Sequence, residues 1–176
     1  MERETRGRQG EEPPPPADSG DDRGVEQDID RELLDWWMLV MQGFHATHDS
    51  LASEVTGRFN LGPGAAEVLV RLLNAPKYRM PMTRLAHETR KSSGGFTKVG
   101  DRLCNAGLTR RMTCQDDRRL IYLELTDQGK DMARAISRLV TQIMRARVLT
   151  PLGRDGFADL ADAMRELRDA NDDLGK

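Results

Sequence analysis

The chain has 176 residues, a net charge of −2 and 38% hydrophobic residues, which makes one compact domain the starting expectation. It carries no apolar run long enough to span a bilayer and no charged-then-apolar leader pattern; membrane insertion and secretion are not expected, and a cytoplasmic location is. Its two cysteines, Cys104 and Cys114, are too few for a disulfide scaffold and wrongly spaced for a zinc ribbon or a redox pair, so free thiols are expected.

Residues 1–26 mix charged residues and glycine around Pro13–Pro16 with little apolar surface. Such a segment cannot offset its ordering entropy and reads as a disordered tail, either a dispensable extension or an arm that touches DNA or a partner. From about Gln27 to Phe59, the residues Leu33, Trp37, Val40, Phe44, His48, Leu51 and Val55 recur at steps of three and four, predicting a long helix. Trp36, Met38, Leu39 and Met41 widen its apolar surface beyond one packing face, which points to a subunit interface. After the Gly62-Pro63-Gly64 break, a second helix carries Ala65, Leu69, Leu72 and Leu73 inward and ends near Pro76. A loop through Tyr78 and Pro81 then leads to a short helix with Met82, Leu85 and Ala86 on one side.

Ser92 is a suitable N-cap for the next helix, in which Phe96, Val99 and Leu103 keep helical spacing and Gly107 marks the end. Leu108 to Met112 and Leu120 to Leu125 read as two strands, the second turning Ile121, Leu123 and Leu125 inward against Tyr122 and Glu124, with a polar hairpin tip at residues 113–118. Thr126 caps a helix striped by Met132, Ile136, Leu139, Val140 and Ile143, and Thr150 followed by Pro151 restarts a last helix striped by Phe157, Leu160, Met164 and Leu167. The predicted architecture is mainly α: four helices, a two-stranded ribbon and two further helices.

Charge is uneven along this chain. Between Arg84 and Arg119 there are nine Lys and Arg residues against four acids, the electrostatic footprint of a polyanion-binding surface within a neutral protein. Inside it, the helix after Ser92 opens with Ser93, Gly94 and Gly95. Adjacent glycines in a first turn cost helix stability, about 1 kcal/mol each relative to alanine, so their presence favours close approach to base edges and phosphates. Thr97, Lys98 and Arg102 add hydroxyl and cationic groups along the exposed side.

These stretches resemble the MarR family of bacterial regulators. The resemblance is carried by Leu85-Ala86, Phe96-Thr97-Lys98 through Arg102-Leu103, Gly107-Leu108 and, above all, Asp116-Asp117-Arg118-Arg119 leading into Leu125-Thr126-Asp127-Gln128-Gly129. It extends over residues 28–173 and implies a winged helix-turn-helix at about 61–126, within a domain spanning 27–176, with dimerisation helices at about 27–59 and 127–174. By resemblance, a homodimer would place one recognition helix per subunit in a major groove, with Ser92, Ser93, Gly94, Thr97 and Lys98 nearest the bases and Arg102 on phosphate or bracing the wing. Arg119 would enter the adjacent minor groove beside Arg118, oriented by Asp117. Proteins of this kind are most often repressors, and a small-molecule effector, often an organic acid, would shift the recognition helices between DNA-competent and DNA-incompetent spacings. The chain departs from the family pattern at Thr89-Arg90-Lys91, where an apolar residue, a glycine and an apolar residue are usual, and at Asn105-Ala106, which replace a charged pair.

Other candidates are weaker. His45 and His48 lie three apart beside Asp49 but lack a second ligand pair, so no metal and no cofactor is expected; with Trp37 they are candidate contacts for the effector. Cys104 and Cys114 fall in the recognition helix and the wing, which leaves thiol-responsive regulation as an alternative. No nucleophile and base pairing suggests an enzyme. The rival of another class is a winged-helix module that binds protein and does not read DNA.

Overall fold

The computed structural model describes residues 20–113 and 120–171. The described chain divides after Gly43 into two compact units, and helix α1, Gly20–Phe59, runs through the division. The helix extends seven residues N-terminal of the expected start at Gln27, because adding a residue to a formed helix is easier than nucleating one; residues 1–19 of the expected tail lie outside the described residues. In the first unit, Leu33, Leu34, Trp36, Trp37, Met38, Leu39 and Val40 are all exposed. Apolar residues at consecutive positions point around every side of a helix, so no single packing face can cover them.

The second unit holds the core. Helix α2, Pro63–Leu73, begins with proline at its first turn, where the missing N–H costs nothing, and buries Ala66, Val68, Leu69 and Leu72. Strand β1, Arg79–Pro81, precedes helix α3, Met82–Glu88, and helix α4, Ser93–Asn105. Strands β2, Thr109–Thr113, and β3, Ile121–Leu125, form the ribbon; helix α5, Asp127–Met144, a π-helical turn, Arg145–Leu149, and helix α6, Thr150–Asn171, complete the chain. Phe96, Leu69, Leu72, Leu85, Leu103, Leu123, Leu125 and Ile136 are the large, fully buried residues that tie these elements together. Among the described residues no helix is long and apolar enough to cross a membrane.

Three expectations need correction. The loop through Tyr78 and Pro81 contains β1, which makes the ribbon a three-stranded antiparallel sheet of order β1-β3-β2, with Met80 opposite Leu123. A three-residue strand shows no alternation, and its proline is tolerated because β1 is an edge. Ile121, expected inward, is exposed, while Leu123 and Leu125 are buried, since the ribbon extends beyond the core at the end where Thr113 pairs with Ile121. Thr150 is helical (φ −63°, ψ −49°) rather than a cap, and both its N–H and its hydroxyl donate to the Arg145 carbonyl. Pro151 would clash with a carbonyl four residues earlier in a tight helix; here the helix widens before it, and the break comes at Gly153 (φ 70°).

Candidate nucleic-acid interface

The interface is built on the turn between α3 and α4. Thr89 stands where an apolar residue was expected and is buried; its hydroxyl donates to the Leu85 carbonyl at 2.7 Å, which removes the cost of hiding a polar group. Arg90 takes the left-handed conformation at φ 51°, and the Lys91 N–H closes the turn on the Ala86 carbonyl at 2.9 Å. The departure from the family pattern therefore keeps the turn but places a side chain where glycine fits best. Arg90→Gly should raise stability by about 0.5–1 kcal/mol, the αL strain less the entropy of glycine; an unchanged or lowered thermal midpoint would show that the Arg90 side chain compensates.

Ser92 caps α4 as expected, its hydroxyl oxygen accepting from the Gly95 N–H at 3.2 Å. Phe96, Gly100 and Leu103 turn inward, and Val99 is half-buried. Ser93, Gly94, Thr97, Lys98 and Arg102 are all exposed on the same helix. The Thr97 hydroxyl donates to the Ser93 carbonyl at 2.9 Å, so what it offers outward is acceptor capacity and a methyl group. A Cβ added at Gly94 would meet nothing within 4 Å; the fold itself does not require this glycine.

The ribbon is braced from α4 and across its strands. Arg111 pairs with Asp101 at 2.8 Å and Arg110 with Glu124 at 2.6 Å, while Arg84 is held by Glu88 at 2.7 Å. These pairs neutralise part of the positive excess counted along the sequence. Lys98 and Arg102 pair with no acid among the described residues, which leaves their charge available to a partner. The wing-tip candidates Asp117, Arg118 and Arg119, together with Cys114 and Asp116, lie outside the described residues. Cys104 is half-buried with its Sγ 3.4 Å from Thr109 Oγ1.

Behind α3, Glu88 joins two helices: Arg84 Nε and Arg71 Nη1 both donate to its carboxylate, and Arg71 also donates to Glu67. The Arg84 hydrogen bond above all, with the charges of Arg84 and Arg71 and the second hydrogen bond, holds Glu88 below its ordinary value of 4.5 against the opposing effect of burial. A depressed carboxylate stabilises the fold fully above its unfolded value and loses that contribution as pH falls through its folded value. The stability gap between the wild type and Glu88→Gln should accordingly be full above the ordinary value of 4.5 and narrow as pH falls through the lowered folded value. A gap independent of pH in thermal melts would show that the charge of Glu88 contributes nothing.

A cavity of about 320 Å³ lies beside this network. Its walls are Leu51, Ala52 and Val55 of α1, Pro63, Ala66 and Val70 of α2, and Ile136 and Val140 of α5, with Glu67 and Arg71 as the charged members. Trp37, His45 and His48 are not among its lining residues, and all three are exposed. The two histidine rings pack against Phe44, His48 stacked at 5.5 Å and His45 tilted at 5.7 Å. No group of three or more His, Cys, Asp or Glu able to hold a metal occurs among the described residues. The sequence did not point to this cavity because its walls are ordinary apolar residues drawn from three separate helices.

No family model and no curated protein sequence matches the chain. Solved structures do. AbsC, a MarR family transcriptional regulator from Streptomyces coelicolor, is 24% identical with a TM-score of 0.72, over 81% of this chain and 95% of AbsC. Sco3205, a MarR family transcriptional regulator from the same organism solved in complex with DNA, is 22% identical with a TM-score of 0.73, over 81% of this chain and 88% of its own. NadR, solved in complex with 4-hydroxyphenylacetate, is 22% identical with a TM-score of 0.64, over 74% and 89%. The chain has the winged-helix fold of these proteins.

Proposed function

We propose that this chain, having the fold of MarR family regulators, is a member of that family: a transcriptional regulator, acting as a repressor, that binds a palindromic operator as a homodimer. The observation that carries the reading is the outward side of α4, where Ser93, Gly94, Thr97, Lys98 and Arg102 are exposed together and neither cation is spent on an acid of the described chain. A helix with small residues at its start and cations further along suits a major groove, the small residues near base edges and the cations near phosphate. By resemblance Arg119, with Arg118 and Asp117, would serve the minor groove. The DNA-bound state of Sco3205 supports the same use of the fold.

The apolar residues exposed on α1 from Leu33 to Phe44, and Leu160, Met164 and Leu167 exposed on α6, support a homodimer built on the terminal helices. The effector is assigned to the cavity of α1, α2 and α5 rather than to Trp37, His45 and His48, because the cavity is apolar-walled and of small-molecule size. Arg71 belongs both to that cavity and to the Glu88 network at the end of α3, so an occupant that disfavours one arrangement of Arg71 biases the helix pair that reads DNA. Footprinting of the purified protein on its own upstream region, with its mass in solution measured by light scattering, tests the reading. A protected imperfect palindrome and a dimer are expected; a folded protein that protects no DNA at low salt would favour a protein-interaction module.

A further inference from the structure

We infer that the cavity selects uncharged, apolar small molecules and that the Glu67–Arg71 pair in its lining excludes carboxylates; this deepens, and rests on, the reading of the chain as an effector-responsive regulator. Eight of the ten lining residues are apolar, and none is Ser, Thr, Tyr, His, Asn or Gln. The charge available to an anion is therefore Arg71. Its Nε and Nη2 both donate to Glu67 Oε1, at 2.9 and 2.8 Å, and its Nη1 donates to Glu88 Oε2 at 2.9 Å.

Glu88 also accepts from Arg84, so two arginines face two glutamates and the cluster carries no surplus positive charge for a third carboxylate. Three of the five guanidinium N–H groups of Arg71 are engaged; an anion reaching the other two would sit beside two carboxylates, and one held away from them would lie against aliphatic walls, where an unpaired carboxylate is strongly unfavourable. Glu67 would also repel it, since it lines the cavity. A neutral ring system meets none of these costs and displaces water from apolar surface. The volume of about 320 Å³ suits one or two fused rings. Organic acids, the effectors implied by family resemblance, are on this argument the wrong class for this chain.

The test is calorimetric titration of the full chain with indole and with indole-3-carboxylate at one pH and salt concentration. Indole is expected to bind at least about tenfold more tightly than its carboxylate. Ala52→Phe and Val140→Phe, which fill the cavity from two different helices, should each reduce indole affinity by at least about tenfold while circular dichroism stays native. Glu67→Gln, which leaves Arg71 facing one acid instead of two, should strengthen the carboxylate by about fivefold or more. Carboxylate binding equal to or tighter than indole in the wild type, indole binding that survives both filling variants, or no binding of either probe at millimolar concentration would overturn the inference. Operator shifts on the same samples separate the two readings: loss of DNA binding alone sinks the regulator and leaves the charge rule, whereas DNA release by the carboxylate keeps the regulator and ends the rule.

Discussion

Gly129→Ala should destabilise the fold by about 3 kcal/mol or more, a large part of the 5–15 kcal/mol that holds a typical domain together. A Cβ built at Gly129 would lie 1.9 Å from the Leu108 carbonyl oxygen and 2.9 Å from its carbon, and the obstructing atoms are backbone. The start of α5 is fastened to that same segment. The Thr126 hydroxyl accepts from the Gly129 N–H at 3.0 Å and donates to the Gly107 carbonyl at 2.7 Å, while the Thr126 N–H donates to Leu108 at 3.1 Å. One methyl group would have to push α5 off the crossing between α4 and β2, and with it the buried Ala133 and Ile136. Gly107→Ala is the comparison: it meets φ +70° and a flexible Gln128 side chain at 3.3 Å, so its cost should be nearer 1 kcal/mol. Equal denaturant midpoints for the two variants would show that the approach at Gly129 relaxes easily.

The double substitution of Lys98 and Arg102 by alanine should weaken operator binding by about 3 kcal/mol, on the order of a hundredfold, with no change in the melting temperature. Both side chains are exposed and neither is paired with an acid of the described chain, so removing them leaves no buried group without a partner. If they meet phosphates, the slope of affinity against salt should fall by about 1 for each. Gly94→Ala separates reading from folding at the same surface. The added methyl meets nothing inside the protein and should stabilise α4 by up to about 1 kcal/mol; weaker DNA binding despite a firmer helix would mean that the glycine serves close approach. Unchanged affinity for the double variant at matched salt would place DNA, if bound at all, on another surface.

Much of the winged-helix half was legible in the chain because its signals are contiguous. The Ser92 cap, the spacing of Phe96, Val99 and Leu103, the end at Gly107 and the Thr126 cap depend on residues within a few positions of one another, and each is where the sequence put it. Capping and helical periodicity are consequences of local backbone geometry, which a single stretch of sequence encodes. The features that escaped depend on partners distant in sequence. β1 exists because Met80 comes to lie opposite Leu123; Arg71 is divided between a carboxylate on its own helix and one at the end of α3; the cavity is walled by three helices. The inward side of a strand could be predicted from alternation, yet how far the core reached along it could not, and Ile121 stayed exposed. Residue order by itself determined which segments become helices and which surface carries charge, through propensity and spacing. Only the tertiary structure decided which charges cancel and where apolar walls line a cavity, because both are settled by distances between elements that have no fixed separation along the chain.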